Sequence, residues 1–117
     1  MKTIRLLYPD HRSGGLDTYY FGANLLQHIL PRNDNQPLVK VDIAPPDGKG
    51  RDVTDGIYAK DEVLAGIRNA QKAIEAEAPD RIITIGGNCL VSLDGTARLL
   101  VSRSDLSALL ESVRALL

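Results

Sequence analysis

The stretch Arg81-Ile82-Ile83-Thr84-Ile85-Gly86-Gly87-Asn88-Cys89-Leu90 decides the fold of this chain. A short β-branched, apolar run that ends in two glycines predicts a buried parallel strand with a sharp turn at its carboxyl end. In open α/β sheets, ligands bind at that edge of the sheet. We therefore expect Asn88 and Cys89, which follow the turn directly, to belong to any site that this protein has.

Strand and helix patterns alternate in the chain before this stretch. Residues Thr3–Tyr8 form a strand candidate closed by Pro9-Asp10, and Leu38–Ile43 alternate as a strand near the edge of a sheet does. Helix patterns run from Asp17 or Thr18 to Ile29, and from Asp61 to about Ala78. The order β-α-β-α-β predicts a parallel sheet with right-handed crossovers.

Each of the two helices carries an apolar stripe of the kind that packs against a core. In the first helix, Phe21, Leu25 and Ile29 form the stripe, with Leu26 and Leu30 beside it. Side chains at the start of this helix, Asp17 and Thr18, can accept the free amide hydrogens of its first turn. The second helix places six apolar residues on one face: Val63, Leu64, Ile67, Ala70, Ile74 and Ala78.

Two stretches are less regular. Breaker residues from Pro45 to Gly50, and no clear period up to Tyr58, predict a long loop, and such loops are usually functional or mobile. After Gly87, two patterns are possible: a hairpin around Asp94-Gly95, which the local sequence favours, or a short helix capped by Asn88 followed by a parallel strand over 97–101.

A leucine-rich helix is predicted after Ser102 or Ser104. Its apolar residues follow i, i+3, i+4, i+7 spacing, and we expect that face to be buried in the core or on another copy of the chain. These residues are Leu106, Leu109, Leu110, Val113, Leu116 and Leu117.

Length and composition set the class of protein. A chain of 117 residues predicts one domain, 1–117, with an ordinary hydrophobic fraction of 44%. A net charge of -1 with scattered Lys and Arg argues against nucleic-acid binding, and no apolar run approaches a membrane span. One cysteine excludes an internal disulfide framework and suits a reducing cytoplasm, which is where we expect the protein.

Glycine pairs follow two of the predicted strands, at Gly14-Gly15 and at Gly86-Gly87. Glycine there lets the backbone approach a ligand closely, although the same residues can simply make tight turns. Neither stretch matches G-x-G-x-x-G or G-x-x-x-x-G-K-[ST], so nucleotide binding has little support.

Few side chains at this predicted edge carry chemistry. His11 is the better histidine candidate, because His28 lies within a helix, and Asp10 and Asp17 flank the first loop. Cys89 could be a small buried hydrophobe, a metal ligand, or a reactive thiol at a helix amino end. No His-x-x-x-His, Cys-x-x-Cys or Glu-x-x-His spacing predicts a self-contained metal site.

The stretch Ile82–Leu93 resembles the Gly-Gly-Asp-His-Ser strand, turn and helix of the arginase, agmatinase and formiminoglutamase (ureohydrolase) family. It is closest to the Gly-Gly-Asn-Cys variant of an arginase-like branch. The stretch Tyr8–Asp17, continuing through Gly22-Ala23, is similar to that family's first strand, glycine loop and helix. The resemblance covers about residues 1–93, and 94–117 is an unplaced strand-helix tail.

The resemblance implies a three-layer α/β/α fold with a short, mostly parallel sheet, a truncated arginase-like fold. It also implies a manganese-dependent hydrolase of C–N bonds in guanidino or amidine compounds. Cys89 occupies the family's metal-binding histidine position. From their places at the predicted sheet edge, the candidates on the substrate side are His11, Gly14, Gly15, Asp17, Gly86, Gly87 and Asn88.

The family's other metal motifs, Asp-Ala-His-x-Asp and Asp-x-Asp, do not occur in this sequence. A thiolate is also a soft ligand that suits Mn²⁺ poorly. We therefore expect a ureohydrolase-like protein that is catalytically incomplete as this chain. The alternative is a non-catalytic α/β domain that self-associates through its edge strand and its leucine-rich terminal helix.

Overall fold

A computed structural model describes residues 1–92 as a three-stranded parallel sheet with a helix on each face. The elements, in chain order, are β1 (Thr3–Tyr8), α1 (Thr18–Ile29), β2 (Leu38–Lys40), β3 (Val53–Thr54), β4 (Ile57–Tyr58), α2 (Lys60–Glu77) and β5 (Arg81–Gly86), followed by a 3-10 turn over Cys89–Val91. The α/β class and the alternating order of the main elements are confirmed.

The sheet has the strand order β2-β1-β5, and both pairings are parallel. Tyr8 pairs with Gly86 at the carboxyl ends of β1 and β5, so the loops that follow these two strands start side by side. β2 lies at the edge, as predicted, but its ladder ends at Lys40 instead of continuing to Ile43. One further bond, from the Val41 N–H to the Leu7 carbonyl at 2.9 Å, prolongs the contact with β1.

Helix α2 packs on the sheet face formed by Leu6 and Tyr8. Ala70 and Ile74 join these residues in the larger core cluster, and Val63 is also buried. The predicted apolar face of this helix is therefore confirmed along most of its length. Two predicted members are exposed: Leu64, which shows 36% of its surface, and Ala78 at the helix end.

Helix α1 packs on the opposite sheet face, and there the predicted stripe is wrong. Its buried residue is Ala23, which meets Leu7 and Ile85 in a second core cluster. The predicted stripe points outward instead, with exposed fractions of 61% for Phe21, 64% for Leu25 and 69% for Ile29. Of the predicted apolar residues, Leu30, just after the helix, is the one that packs partly buried against this cluster.

The predicted side-chain caps of α1 are also absent. Asp17 occupies the N-cap position, but its side chain makes no capping hydrogen bond. Its backbone is already in the right-handed helical region, where the side chain cannot reach back as it does from extended backbone. The first turn is instead closed by backbone bonds, from Tyr19 N–H to the Leu16 carbonyl and from Tyr20 N–H to the Asp17 carbonyl.

Strand β5 is less buried than its apolar sequence predicts. Ile85 is buried, but Ile83 on the same face is 41% exposed and Ile82 is half-buried. The reason is position, because in residues 1–92 β5 lies at the end of the sheet and pairs with β1 alone.

The described chain after β5 agrees with the short-helix alternative. Residues Cys89–Val91 form a 3-10 turn, and the Leu90 N–H donates to the Asn88 side-chain oxygen at 3.2 Å. A hairpin strand starting at Cys89 is thereby ruled out. The predicted hairpin turn at 94–95, the strand over 97–101, the terminal helix and the tail 94–117 lie outside the described residues.

The loop predicted between Pro45 and Tyr58 contains a small antiparallel hairpin, β3-β4. Asp55 and Gly56 have φ values of 52° and 77°, and a two-residue type I′ hairpin turn requires positive φ at both of its central residues. The Asp-Gly dipeptide is the sequence signal for such a turn, so this element was predictable and was missed. No helix within residues 1–92 is long and apolar enough to span a membrane.

Candidate functional site

The two stretches that follow β1 and β5 are joined by the side chain of Asn88. Its Nδ2 donates to the Asp10 backbone carbonyl at 3.0 Å and to the Asp10 carboxylate at 2.9 Å. The Oδ1 atom of the same amide accepts from the Leu90 N–H. One amide therefore links two loops whose residues lie 78 positions apart in sequence. Asn88 is the central connection of this edge.

Asp10 is the buried acceptor of this arrangement, with 2% of its surface exposed. Its Oδ2 accepts from the Ser13 hydroxyl as well as from Asn88. A buried carboxylate needs such donors, because an unpaired one would lose its solvation without compensation. We define the Asp10 cluster as Asp10, Ser13 and Asn88, at the carboxyl end of β1 and β5.

The glycine pairs at this edge let protein elements approach each other. A Cβ on Gly87 would lie 2.4 Å from the Tyr19 carbonyl oxygen, and one on Gly14 would lie 2.2 Å from the Tyr19 ring. A Cβ on Gly86 would lie 2.5 Å from Val91. Gly15 differs from these three, because the space around it is open and a side chain would fit there. Its φ of +68° is what favours glycine at this position. Tyr19 thus fits between the two loops, one glycine from each pair facing it.

A cleft of about 650 Å³ opens beside the Asp10 cluster. Ser13 and Asn88 line it, together with Tyr19 and Cys89, so it combines a hydroxyl, an amide, a phenol ring and a thiol. Gly14, Leu90 and Ser92 complete the lining. The cleft therefore lies at the carboxyl ends of two parallel strands, where the sequence predicted a site.

Cys89 is exposed, so its interpretation as a small buried hydrophobe is wrong. The side chain follows the Asn88 cap and reaches the cleft at the first residue of the 3-10 turn. Its two chemical interpretations, a metal ligand and a reactive thiol, stay predictions.

His11 lies inward from the cleft, with 1% of its surface exposed. Its Nε2 lies 2.9 Å from the Ala44 carbonyl, so this nitrogen must carry the proton and donate it. The imidazole also makes an edge-to-face contact with Tyr20, with ring centroids 5.6 Å apart. These contacts fasten the loop after β2 to the loop after β1. His28, by contrast, is exposed on α1.

Arg12 connects this edge to the amino end of α2. The side chain is 7% exposed, and its Nε lies 2.6 Å from a Glu62 carboxylate oxygen. That oxygen lies away from the direction of the N–H bond, so the contact is an ion pair without a well-aligned hydrogen bond. Arg12 Nη2 also lies 3.5 Å from Asp47.

Arg51 completes the network, because it binds both Asp47 and Glu62. Hydrogen bonds from Arg51 are the main reason that the pKa values of both carboxyl groups lie below their ordinary range, and Arg12 adds to the effect. The pKa of the Arg51 guanidinium is raised in return, chiefly by its bond to Asp47. The long loop after β2 is therefore attached to the rest of the protein by charge.

The implied manganese pair does not fit the side chains of residues 1–92. No group of three or more His, Cys, Asp and Glu side chains in this part of the chain is arranged to hold a metal ion. The His11 ring nitrogen donates to a carbonyl, and the Asp10 carboxylate accepts from Ser13 and Asn88. Among the His, Cys, Asp and Glu side chains of residues 1–92, Cys89 is the one that lines the cleft.

The structure brings together some of the predicted site residues and separates others. Gly14, Asn88 and Cys89 line the cleft, and Gly87 contacts the Tyr19 residue that lines it. His11 is buried behind the edge, and Asp17 is exposed at the start of α1.

Sequence reasoning missed three residues of this edge: Arg12, Ser13 and Tyr19. Arg12 and Ser13 lie in the stretch Tyr8–Asp17 that carries the resemblance, but no local spacing marks either of them or Tyr19 as a site residue. The partners of Arg12 lie 35 to 50 positions away in sequence, so no local pattern could have indicated them. The contact between Tyr19 and Gly87 likewise exists only in the folded chain.

Comparison with known proteins adds no relative to this description. A scan against protein-family models finds no match, and a search of curated proteins finds none either.

Proposed function

We propose that this chain is a ureohydrolase-like protein whose cleft beside the Asp10 cluster binds a guanidino or amidine compound without hydrolysing it unaided. One observation carries the proposal. The two stretches that resemble the family, Tyr8–Asp17 and Ile82–Leu93, meet through the bonds from Asn88 to Asp10. In a protein of this family, the two stretches would be expected to meet at the carboxyl edge of the sheet in this way.

The chemistry of the cleft supports a small cationic, planar ligand. A guanidinium group donates several hydrogen bonds in one plane, and the Ser13 hydroxyl and the Asn88 carbonyl oxygen offer acceptors. The Tyr19 ring adds an aromatic face of the kind on which such cations stack. The buried Asp10 carboxylate lies directly behind Ser13 and favours positive charge in front of it.

The sequence supports the proposal of incomplete catalysis. Hydrolysis in this family requires two metal ions that lower the pKa of a bridging water. The Asp-Ala-His-x-Asp and Asp-x-Asp motifs that would hold them are absent from this chain, and Cys89 takes the histidine position.

Nuclear magnetic resonance titration of the full chain with agmatine and arginine tests the binding proposal. We expect amide shifts confined to residues 13–14 and 88–90, and no comparable shifts with putrescine or ornithine, which lack the guanidinium group. Asn88→Ala should abolish these shifts, whereas Asn35→Ala, in an exposed turn, should leave them unchanged. Shifts that are absent, or equal for both ligand pairs, would overturn the proposed ligand class.

Catalytic incompleteness needs its own measurement. We expect no urea release from arginine or agmatine, and calorimetry should show no tight binding of two Mn²⁺ ions. Turnover with two bound ions would overturn this part of the proposal while leaving the ligand class in place.

The second candidate function is self-association of a non-catalytic domain. Within the described residues, β5 is an edge strand of the sheet, and its Ile83 is 41% exposed. An edge of this kind can pair with another chain. Sedimentation showing a monomer at high protein concentration would exclude it.

A further inference from the structure

The Asp10 carboxylate takes up the hydrogen-bond donors of both other members of the Asp10 cluster. Ser13 donates its single hydroxyl proton to Asp10 Oδ2. The Asn88 amide nitrogen carries two hydrogens and makes two bonds, to the Asp10 backbone carbonyl and to the same Oδ2. A carboxylate can only accept, so the direction of the bonds to Oδ2 is fixed.

Only the lone pairs of these two side chains remain for the cleft. The Ser13 hydroxyl oxygen keeps its two acceptor sites, and Asn88 Oδ1 keeps one beside the bond from the Leu90 N–H at 3.2 Å. Ser13 and Asn88 both line the cleft of about 650 Å³. Toward a ligand in the cleft, these two side chains therefore accept hydrogen bonds and do not donate them.

The burial of Asp10 holds this arrangement in place. Asp10 exposes 2% of its surface, whereas Ser13 is exposed. If Ser13 turned its proton toward the cleft, the buried carboxylate would lose a donor that water could not replace. Asp10 itself does not line the cleft, so it acts on a ligand through Ser13 and Asn88.

The two acceptors favour one chemical kind of ligand. An amidinium or guanidinium group carries several N–H bonds in one plane and can donate to acceptors of this kind. A carboxylate or phosphate group at neutral pH offers mainly acceptors, so it would set lone pairs against the lone pairs of Ser13 and Asn88. The negative charge of Asp10 behind them adds to the repulsion, and unpaired groups of this sort are how a site rejects the wrong ligand.

We propose that Asp10 is a positioning residue that sets the direction of hydrogen bonding in the cleft. By accepting the donors of Ser13 and Asn88, it makes both side chains acceptors, and the cleft selects ligands that donate over ligands that accept. This inference rests on the proposed function, because it needs a ligand in the cleft. It adds the residue that selects this ligand without touching it.

Acetamidine and acetate form a matched pair of probes, because they share size and planar shape and differ in donors, acceptors and charge. Nuclear magnetic resonance titration of the full chain, followed at residues 13–14 and 88–90, measures the affinity of each probe. We expect wild type to bind acetamidine about tenfold or more tightly than acetate, since each unpaired polar group costs at least this much affinity. The ratio of the two affinities is the readout.

Two substitutions of Asp10 separate the bonds from the charge. In Asp10→Asn, the amide oxygen can occupy the position of Oδ2 and accept the same bonds, so binding should weaken while the preference for acetamidine persists. Asp10→Ala frees the hydrogens of Ser13 and Asn88 to turn toward the cleft, and the preference should fall to about twofold or less. Asp17→Ala is the matched control, because it removes an exposed carboxylate from the same loop and should keep the full preference.

Ser13→Ala provides a second test that leaves the buried carboxylate in place. It removes an exposed acceptor, so it should weaken acetamidine binding several-fold and leave acetate binding unchanged. An unchanged ratio in Ser13→Ala, or in a folded Asp10→Ala protein, would overturn the role of Asp10. Equal binding of both probes by wild type would overturn the selectivity and leave a binding cleft standing, whereas no shift with either probe would overturn the proposed function as well.

Discussion

Helices α1 and α2 lie on opposite faces of the same sheet, yet only α2 buries the stripe that its sequence predicts. In α2, Ala70 and Ile74 are 0% and 1% exposed, whereas Leu25 and Ile29 of α1 are 64% and 69% exposed. The amphipathic pattern is clear in both helices. The difference shows that a helical pattern identifies an apolar face, and that the distance between helix and sheet decides whether that face is the buried one.

The largest expected difference in stability is between two isoleucines, one from the predicted apolar stripe of each helix. Ile74→Ala empties a buried site in the core cluster and should destabilise the protein by about 2–5 kcal/mol. Ile29→Ala removes an exposed side chain and should change stability by roughly 0.5 kcal/mol or less. Urea denaturation of both variants measures the contrast. Equal losses would mean that α1 also packs through its predicted stripe.

The next effect concerns the contact that holds α1 in place. Gly87→Ala would put a methyl group 2.4 Å from the Tyr19 carbonyl oxygen, which is backbone and cannot move cheaply. We expect a loss of about 3 kcal/mol from overpacking.

Gly22→Ala serves as its control, because the space around that residue is open. Alanine stabilises a helix interior relative to glycine, so this variant should gain about 0.5–1 kcal/mol. Thermal unfolding distinguishes the two, and a Gly87→Ala protein as stable as wild type would contradict the proposed anchoring of α1.

The link between the two strand-end loops should have a smaller effect. Asn88→Ala removes both bonds to Asp10 and the cap of the 3-10 turn, and leaves a buried carboxylate with fewer donors. We expect a loss of about 1–3 kcal/mol. Asn35→Ala, in an exposed turn, should be close to neutral. Hydrogen exchange should speed up more in the loop before α1 than in α2, whose protection follows the global stability; an equal change in both would contradict a local link.

The smallest expected effect is the pH dependence of the ion network at the start of α2, which has no counterpart in α1. Folding lowers the pKa values of Asp47 and Glu62, so the folded state binds protons less readily than the unfolded state. Their contribution to stability is therefore complete above the ordinary carboxyl pKa of about 4 and is lost as the pH falls below it.

Urea midpoints measured between pH 7 and pH 3 test this dependence. Glu62→Gln should lower stability near neutral pH and become equivalent to wild type in acid, whereas Glu75→Gln, on the exposed side of α2, should follow wild type throughout. A gap between wild type and Glu62→Gln that widens in acid would contradict the predicted sign.

Much of the fold could be predicted from local pattern. The bounds of α1, α2, β1 and β5 agree with their apolar periods to within about two residues, because these patterns reflect local backbone geometry. The hairpin at Asp55-Gly56 was also encoded locally and was overlooked, because its strands have only two residues each. Two-residue strands carry no usable period.

The candidate site was predictable in position but not in composition. The carboxyl ends of β1 and β5 were expected to meet, and Asn88 and Cys89 lie there as predicted. The burial of His11 could not be predicted, because its partner is the Ala44 carbonyl, 33 positions away. Arg12 was missed for the same reason, since Glu62 belongs to a helix on the other side of a long loop.

The sequence by itself determined the parallel α/β class, the placement of the glycine pairs after strands, and the apolar content of both helices. Each of these depends on neighbours within a few residues. The tertiary structure alone decided which face of α1 is buried. That outcome depends on how closely Ala23 and the Tyr19–Gly87 contact bring α1 to the sheet, and such distances are set only when residues about 70 positions apart meet.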